Sequence, residues 1–132
     1  MISNNLINAI KSRAGQGLNI PVVDGMRTED LPTPCISVQA QDMDMFHTSF
    51  IDVFNAHVLV KYEEHYADIS TVQAKANFDR IISNFNIDNI TSEMQGADYK
   101  LFDARIFSAN QDIQENILAF ELILKFIIEI QS

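Results

Sequence analysis

Two aspartates, Asp42 and Asp44, are a partial match to a calcium-binding loop. Such a loop places carboxylates at its first and third positions because Ca²⁺ binds hard oxygen ligands. The later positions break the pattern: Phe46 occupies the fifth, His47 replaces the glycine of the sixth, and Val53 replaces the glutamate of the twelfth. We therefore interpret this segment as a solvated hairpin loop between two strands.

Three histidines and two glutamates could supply ligands to a transition metal: His47, His57, His65, Glu63 and Glu64. His57 lies within a predicted strand and His65 follows eight positions later, so on an extended chain the two are about 26 Å apart. Ligands of one metal ion must lie much closer together. The spacing favours ordinary surface histidines over a metal site.

Neither a nucleophilic site nor a phosphate-binding loop is indicated. Cys35, directly after Pro34, is typical of a small buried hydrophobic residue, and no local motif joins it or a serine to a histidine and a carboxylate. Gly15 and Gly17 lack the third glycine of a dinucleotide fingerprint and follow a predicted helix, where the fingerprint requires a strand. We predict a protein that is not an enzyme, with no catalytic residue, cofactor or bound metal.

Charge and composition narrow the class further. The 132 residues carry nine Lys and Arg against eighteen Asp and Glu, a formal net charge of −9. Such a surface repels phosphate backbones and anionic lipids, which argues against tight binding of nucleic acid or of a membrane. The single cysteine excludes a disulfide scaffold and is compatible with a reducing cytosol. The length and the 47% hydrophobic content predict one domain, 1–132.

No targeting or membrane-spanning segment is predicted. The first fourteen residues alternate polar and apolar types at helical spacing and lack the continuous apolar core of a signal peptide. The most apolar segment, 117–130, is interrupted by Glu121, Lys125 and Glu129 and is too short for a spanning helix.

Hydrophobic spacing divides the chain into two helices and four long strands. Apolar residues three and four positions apart predict helices over 2–14 and 70–84, the second beginning with a capping box formed by Ser70 and Gln73. A long turn-rich loop, about 15–34, follows the first helix. Period-two alternation predicts strands over 35–41, 51–63, 99–107 and 118–130, and a short extended piece is expected at 20–23.

The last strand has the clearest pattern in the chain. Apolar residues occupy every second position from Leu118 to Ile130, whereas the opposite register alternates apolar residues with Glu121, Lys125 and Glu129. At ~3.3 Å per residue this strand spans about 40 Å, which is long for a domain of this size. We expect part of it to reach beyond the domain's own core and to be covered by self-association.

The order of elements predicts an α+β fold. We expect a mainly antiparallel sheet of about four or five strands, with the two helices packed on one face. Adjacent strands are joined by short hairpin links except across the second helix.

Several segments, taken in order, resemble one known family. They are the short N-terminal helix, the run Leu31-Pro32-Thr33-Pro34-Cys35-Ile36-Ser37-Val38, the strand 54–62 with the helix 68–85 behind it, and the closing strand Ala119-Phe120-Glu121-Leu122-Ile123-Leu124-Lys125-Phe126-Ile127-Ile128. In length, pattern and order the chain resembles the tail terminator (tail completion) proteins of tailed bacteriophages. The resemblance covers most of the chain, although the loop 19–31 has no counterpart in it.

The resemblance implies a structural protein of the virion, assembled in the host cytoplasm. It implies a homo-oligomeric ring, typically of six subunits, that caps the tail tube, stops its polymerisation and joins the tail to the neck and head. The partners would be other copies of the chain, the tail tube protein and a neck or connector protein. DNA would pass through the central channel without specific binding, as an acidic wall permits.

Six charged residues are candidates for interface or channel positions in such a ring. The closing strand and its hairpin partner 99–107 are expected to contribute to subunit contacts. The candidates are Asp42, Asp44, Arg105, Glu121, Lys125 and Glu129.

Two alternatives stay open. One is another neck, connector or baseplate component of the same fold. The other is a small hot-dog-like enzyme or ligand-binding domain, which would have a closed pocket beside the central helix with a buried Asp79 or His57 in it.

Overall fold

The computed structural model describes residues 4–25, 34–47, 50–113 and 116–130. This part of the chain forms three helices and five strands. In order they are α1 (Asn4–Ala14), β1 (Val22–Asp24), β2 (Cys35–His47), β3 (Phe50–His65), α2 (Thr71–Phe85), α3 (Ile90–Glu93), β4 (Tyr99–Ile113) and β5 (Ile117–Ile130).

The strands form one sheet in the order β1-β2-β3-β5-β4. Only β1 runs parallel to its neighbour β2, and the other pairs are antiparallel. Strands β2 and β3 form one hairpin, β4 and β5 form a second, and the connection that carries α2 and α3 joins β3 to β4. The predicted fold class, a mostly antiparallel sheet with two main helices, is confirmed.

Strand β5 is an interior strand of the sheet, paired with β3 on one side and β4 on the other. Its even-numbered side chains from Leu118 to Ile128 are all buried and share one core with the apolar faces of α1 and α2. The expectation that part of this strand extends beyond the chain's own core is therefore wrong for this face. Of the period-two series, only Ile130 is exposed.

The helix α2 follows from its cap and its apolar face. Ser70 is the N-cap, and its hydroxyl accepts a hydrogen bond of 3.1 Å from the backbone N–H of Gln73. Only this half of the predicted capping box is present, because the Gln73 side chain donates instead to Asn77. Four apolar residues at helical spacing then bury against the sheet: Ala74, Phe78, Ile81 and Phe85.

The helix α1 buries Leu6 and Ile10 in the same core and ends at a turn in which Gly17 adopts a positive φ of 78°. Its carboxyl end is attached to α2 by hydrogen bonds. The Asn84 side chain donates to the carbonyl of Gln16 (2.9 Å), and Arg13 donates to the carbonyl of Asn84 (3.1 Å). None of the described helices has the length and apolar character needed to cross a membrane.

Three elements differ from the sequence-based prediction. The segment of Asp42 and Asp44, predicted as a hairpin loop, continues strand β2 to His47, and the turn itself falls at 48–49, outside the described residues. Strand β4 continues beyond 107 to Ile113. The connection 86–97 contains the one-turn helix α3, which buries Ile90. Residues 26–33 of the predicted long loop lie outside the described residues. They include the first three residues of the run 31–38, which is part of the family resemblance.

Candidate functional site

The side of the sheet opposite α1 and α2, here called the open face, brings together the candidate residues named from the sequence. The register proves the placement, because Glu121, Lys125 and Glu129 occupy the odd positions of β5, opposite in direction to its buried even positions. Arg105 pairs with Lys125, and Asp44 pairs with Asn55, itself the partner of Ile127. No described helix packs on this face.

Charged and apolar rows alternate across the open face. His57, Lys125 and Arg105 form one row, with Asp42 at the β2 end. The next row joins Leu59 of β3 to Ile123 of β5. In the row beyond, Lys61 of β3 faces Glu121 of β5. These β3 and β5 side chains are half-buried.

Two β-bulges in β4 direct aromatic side chains onto the open face. The register of β4 against β5 skips one residue at Phe102 and one at Phe107. The two rings are 49% and 60% exposed. The Phe107 ring contacts the His57 ring edge-on, with 5.3 Å between centroids. A bulge re-aims a side chain without ending the strand, so these phenylalanines are placed on the surface by the backbone itself.

A groove of about 540 Å³ lies at one end of the open face. Its apolar lining comes from Phe46, Val53, Phe102 and Ile127. Its charged lining comes from Asp103, Arg105 and Glu129. Within it, the guanidinium of Arg105 donates to the carboxylate of Asp103 from Nε (2.7 Å) and Nη2 (2.5 Å). The groove is thus an apolar patch with a fixed ion pair on its β4 side.

His57 and Asn55 place polar atoms inside the open face. His57 Nδ1 lies 3.2 Å from a carboxylate oxygen of Asp42. Asp42 is the contact that the structure gives this nitrogen, and within the described residues the Asn55 Oδ1 atom has no hydrogen-bond partner. Buried polar atoms normally have partners, so this part of the face is suited to receiving polar contacts from a neighbour.

The predicted metal-ligand candidates do not converge. His57 and His65 are on the same strand eight residues apart, and the side chain of His47 lies outside the description. In the described ranges, no three His, Cys, Asp or Glu side chains are grouped so that they could hold a metal ion. Cys35 is fully buried, and burial, aided by Glu63 and Glu64, raises the pKa of its thiol to about 11. A thiol of this kind is inert near neutral pH.

Neither residue expected to mark the pocket of a hot-dog-like enzyme is buried beside α2. Asp79 is exposed on α2, and His57 lies on the other side of the sheet. The polar group that does lie under α2 was missed by sequence reasoning. The Tyr62 hydroxyl donates to Glu64 (2.5 Å) and accepts from the Asn77 amide (2.9 Å). Burial raises the pKa of Tyr62 well above its ordinary value.

This Tyr62 cluster is a structural connection between β3 and α2. Two hydrogen bonds join its three members, and the one from Tyr62 to Glu64 offsets part of the cost of burying the Glu64 side chain. The available signal in the sequence was the presence of Tyr62 and Glu64 at alternate positions of a core-facing register.

Comparisons with known proteins find a solved structure with a similar fold. No family model matches the sequence, and no curated protein is similar enough to count as a relative. Among solved structures, the chain is similar to a chain of the structure titled "Virion of native gene transfer agent (GTA) particle", with a TM-score of 0.57 and 14% sequence identity. The match covers 91% of this chain and 84% of that chain, so the two share a fold along nearly their whole lengths.

Proposed function

We propose that this chain is a structural protein of a virion, a tail terminator that forms a ring on the end of the tail tube. The ring stops polymerisation of the tube and joins the tail to the neck and head. The observation that carries the proposal is the fold similarity to a virion chain over 91% of the residues. The family resemblance of the sequence, reached from the order of its elements, supports the same class of protein.

The open face supports an assembly role over a catalytic one. Half-buried apolar rows, three exposed phenylalanines and the Asn55 amide oxygen without a hydrogen-bond partner are typical of a surface completed by another protein. The exposed rings are Phe46, Phe102 and Phe107. The chain's role is to bind its neighbours, with no chemical step.

The net charge of −9 is compatible with a channel through which DNA passes. A wall that carries carboxylates repels the phosphate backbone, so DNA slides along it without being held. Glu121 and Glu129 of the open face are the proposed channel or interface carboxylates. The partners are other copies of the chain, the tail tube protein and a neck or connector protein, and the particle assembles in the host cytoplasm.

Deletion of the gene, followed by electron microscopy of the particles, tests the role. Loss of a terminator leaves tails of uncontrolled length, and a plasmid copy of the wild-type gene restores a uniform length. Tails of normal length beside unattached heads would instead indicate a neck or connector component. Normal particles would overturn the proposal.

A further inference from the structure

The two edges of the sheet are complementary to each other. Strands β2 and β4 stand near opposite edges, and the antiparallel pairings between them make β2 antiparallel to β4. If β4 of one copy lies beside β2 of another, the antiparallel sheet therefore continues across the boundary with the helices of both copies on the same side. A contact between two different edges is head-to-tail, and it builds a ring when the rotation between neighbouring copies closes.

Each edge is covered along one part and open along another. On the β2 side, β1 pairs only with Ile36–Val38, and no described strand pairs with the outer edge of β2 beyond that point. On the β4 side, the Gln95 side chain bonds both backbone groups of Leu101, accepting from its N–H and donating to its carbonyl. From Asp103 onward the outer edge of β4 has no strand partner among the described residues.

The open parts match in side-chain direction. The register shifts of β2 against β3 leave a regular run over 43–45, and the bulges of β4 leave a regular run over 103–106. When Asp44 is placed opposite Arg105, both side chains lie on the open face. Met43 then faces Ile106 and Met45 faces Ala104, all four of them on the helix side. A register one residue away would reverse every one of these directions.

Charge favours the same register. Strand β2 has two carboxylates, Asp42 and Asp44, and no Lys or Arg over its length. Arg105 is exposed, and a guanidinium has five N–H donors, so it can bind Asp44 of a neighbour while it keeps Asp103. Within one copy, the strand pairings place Asp44 in the same row across the sheet as Asp103. Asp103 precedes Arg105 by two residues along β4. The pairing thus staggers neighbouring copies by about 7 Å, as a closed sheet requires.

We infer that copies of this chain join edge to edge, with 104–106 of β4 pairing antiparallel with 43–45 of β2 in the next copy and Arg105 facing Asp44. The occupant of each edge is a second copy of the chain. The inference rests on the proposed ring and specifies its subunit contact. It also changes the expected contact, because the closing strand β5 is paired on both sides, whereas its hairpin partner β4 lies at the edge of the sheet.

Cysteine cross-linking tests the pairing. The double variant Asp44→Cys/Arg105→Cys should form a ladder of disulfide-linked oligomers on a non-reducing gel after mild oxidation. A bond within one copy is excluded, because three strand spacings separate β2 from β4, about 14 Å, and a disulfide needs Cα atoms within about 7 Å. The native Cys35 is buried and does not interfere.

Matched controls define the register and the symmetry. Asp44→Cys/Asn110→Cys moves the second thiol five residues along β4 on the same face and should give no ladder. Each single variant should also stay uncross-linked, and a dimer formed by Arg105→Cys alone would show symmetric β4–β4 pairing and overturn the inference. The inference would also fail if the Asp44→Cys/Arg105→Cys variant gave no ladder either as purified protein at high concentration or in isolated particles.

Charge reversal gives a second, independent measurement. Asp44→Arg or Arg105→Asp alone should raise the concentration needed for self-association about fivefold, and the combined variant should restore it. The gene deletion separates the two claims. Tails of uncontrolled length without a ladder would leave the terminator role standing and refute the edge pairing, whereas a ladder with normal tails in the deletion strain would do the opposite.

Discussion

The two faces of the sheet are completed in different ways, although the same strands build both. On the helix side, the even-numbered residues of β5 are buried under α1 and α2. On the open face, the odd-numbered residues of the same strand from Glu121 to Glu129 are half-buried and include two carboxylates and a lysine. Successive side chains of a strand point to opposite faces of the sheet, so β5 contributes to both. Residues on one face can therefore be substituted without altering the side-chain directions on the other.

The difference separates stability from assembly. Apolar area removed from water contributes about 25 cal/mol per Å², so the closed core under the helices supplies most of the folding free energy. The open face contributes less to folding, which leaves its rows and its two bulge phenylalanines available for contacts between proteins. We therefore expect substitutions on the helix side to lower stability, and those on the open face to act mainly on association.

The largest effect is expected for Phe120→Ala. The Phe120 ring is fully buried between Phe78 and Tyr62, with centroids 4.9 and 5.7 Å away. Its removal should lower the free energy of unfolding by about 3–5 kcal/mol, measured by urea denaturation. The control is Ile123→Ala on the open face of the same strand, which should cost less than half as much. Equal losses would contradict the distinction between the faces.

A smaller loss is expected for Tyr62→Phe. Without the hydroxyl, the buried Glu64 side chain and the Asn77 amide lose their shared partner. Such a loss costs about 1–3 kcal/mol, again measured by urea denaturation. Tyr66→Phe is the matched control, because Tyr66 is exposed, and its stability should not change measurably. A Tyr62→Phe variant as stable as the wild type would show that the cluster does not hold α2 to β3.

Cys35 is a buried exception on the open-face register, and its effect depends on pH. Its thiol pKa is raised from 9.0 to about 11 in the folded protein. Above pH 9 the unfolded chain loses this proton before the folded chain does, so stability is full below pH 9 and falls as the pH rises to 11. In Cys35→Ala this part of the fall should be absent. Urea unfolding at pH 8, 9, 10 and 11 gives the dependence of the free energy of unfolding on pH for the wild type and for Cys35→Ala. The same dependence in both proteins would contradict the burial of the thiol.

The smallest effect on stability is expected for Phe107→Ser on the open face. The ring is 60% exposed and has one described ring contact, with His57. The free energy of unfolding should change by less than about 1 kcal/mol, whereas self-association, measured by light scattering, should weaken. Val72→Ser, an exposed change on α2, is the control and should leave association unaltered. Similar association in both variants would show that the open face is not a contact surface.

The central elements were predictable because their signals are local. The period of two in β5 and the capped amphipathic pattern of α2 are complete within one segment of sequence, and both elements form as predicted. The prediction of a loop at Asp42 and Asp44 was wrong, because it relied on aspartates being typical of loops. Near the edge of a sheet such residues are tolerated within a strand, and that position depends on partners distant in sequence.

The candidate site was predictable in part. The charged residues of β5 belong to one face by simple alternation, so Glu121, Lys125 and Glu129 could be grouped from the sequence. Phe102 and Phe107 could not, because their exposure depends on two bulges that exist only in the pairing of β4 with β5. Their spacing of five residues, which breaks the period of two, was the only local sign.

Sedimentation equilibrium of the purified chain, alone and with isolated tail tubes, tests most directly whether the open face and the sheet edges serve assembly. A ring of six 14.9 kDa chains has a mass of about 89 kDa, and we expect this species at high concentration or on the tube ends. Phe107→Ser should shift the equilibrium towards the monomer. A 14.9 kDa monomer at every concentration that also fails to sediment with the tubes would show that the open face and the sheet edges do not serve assembly.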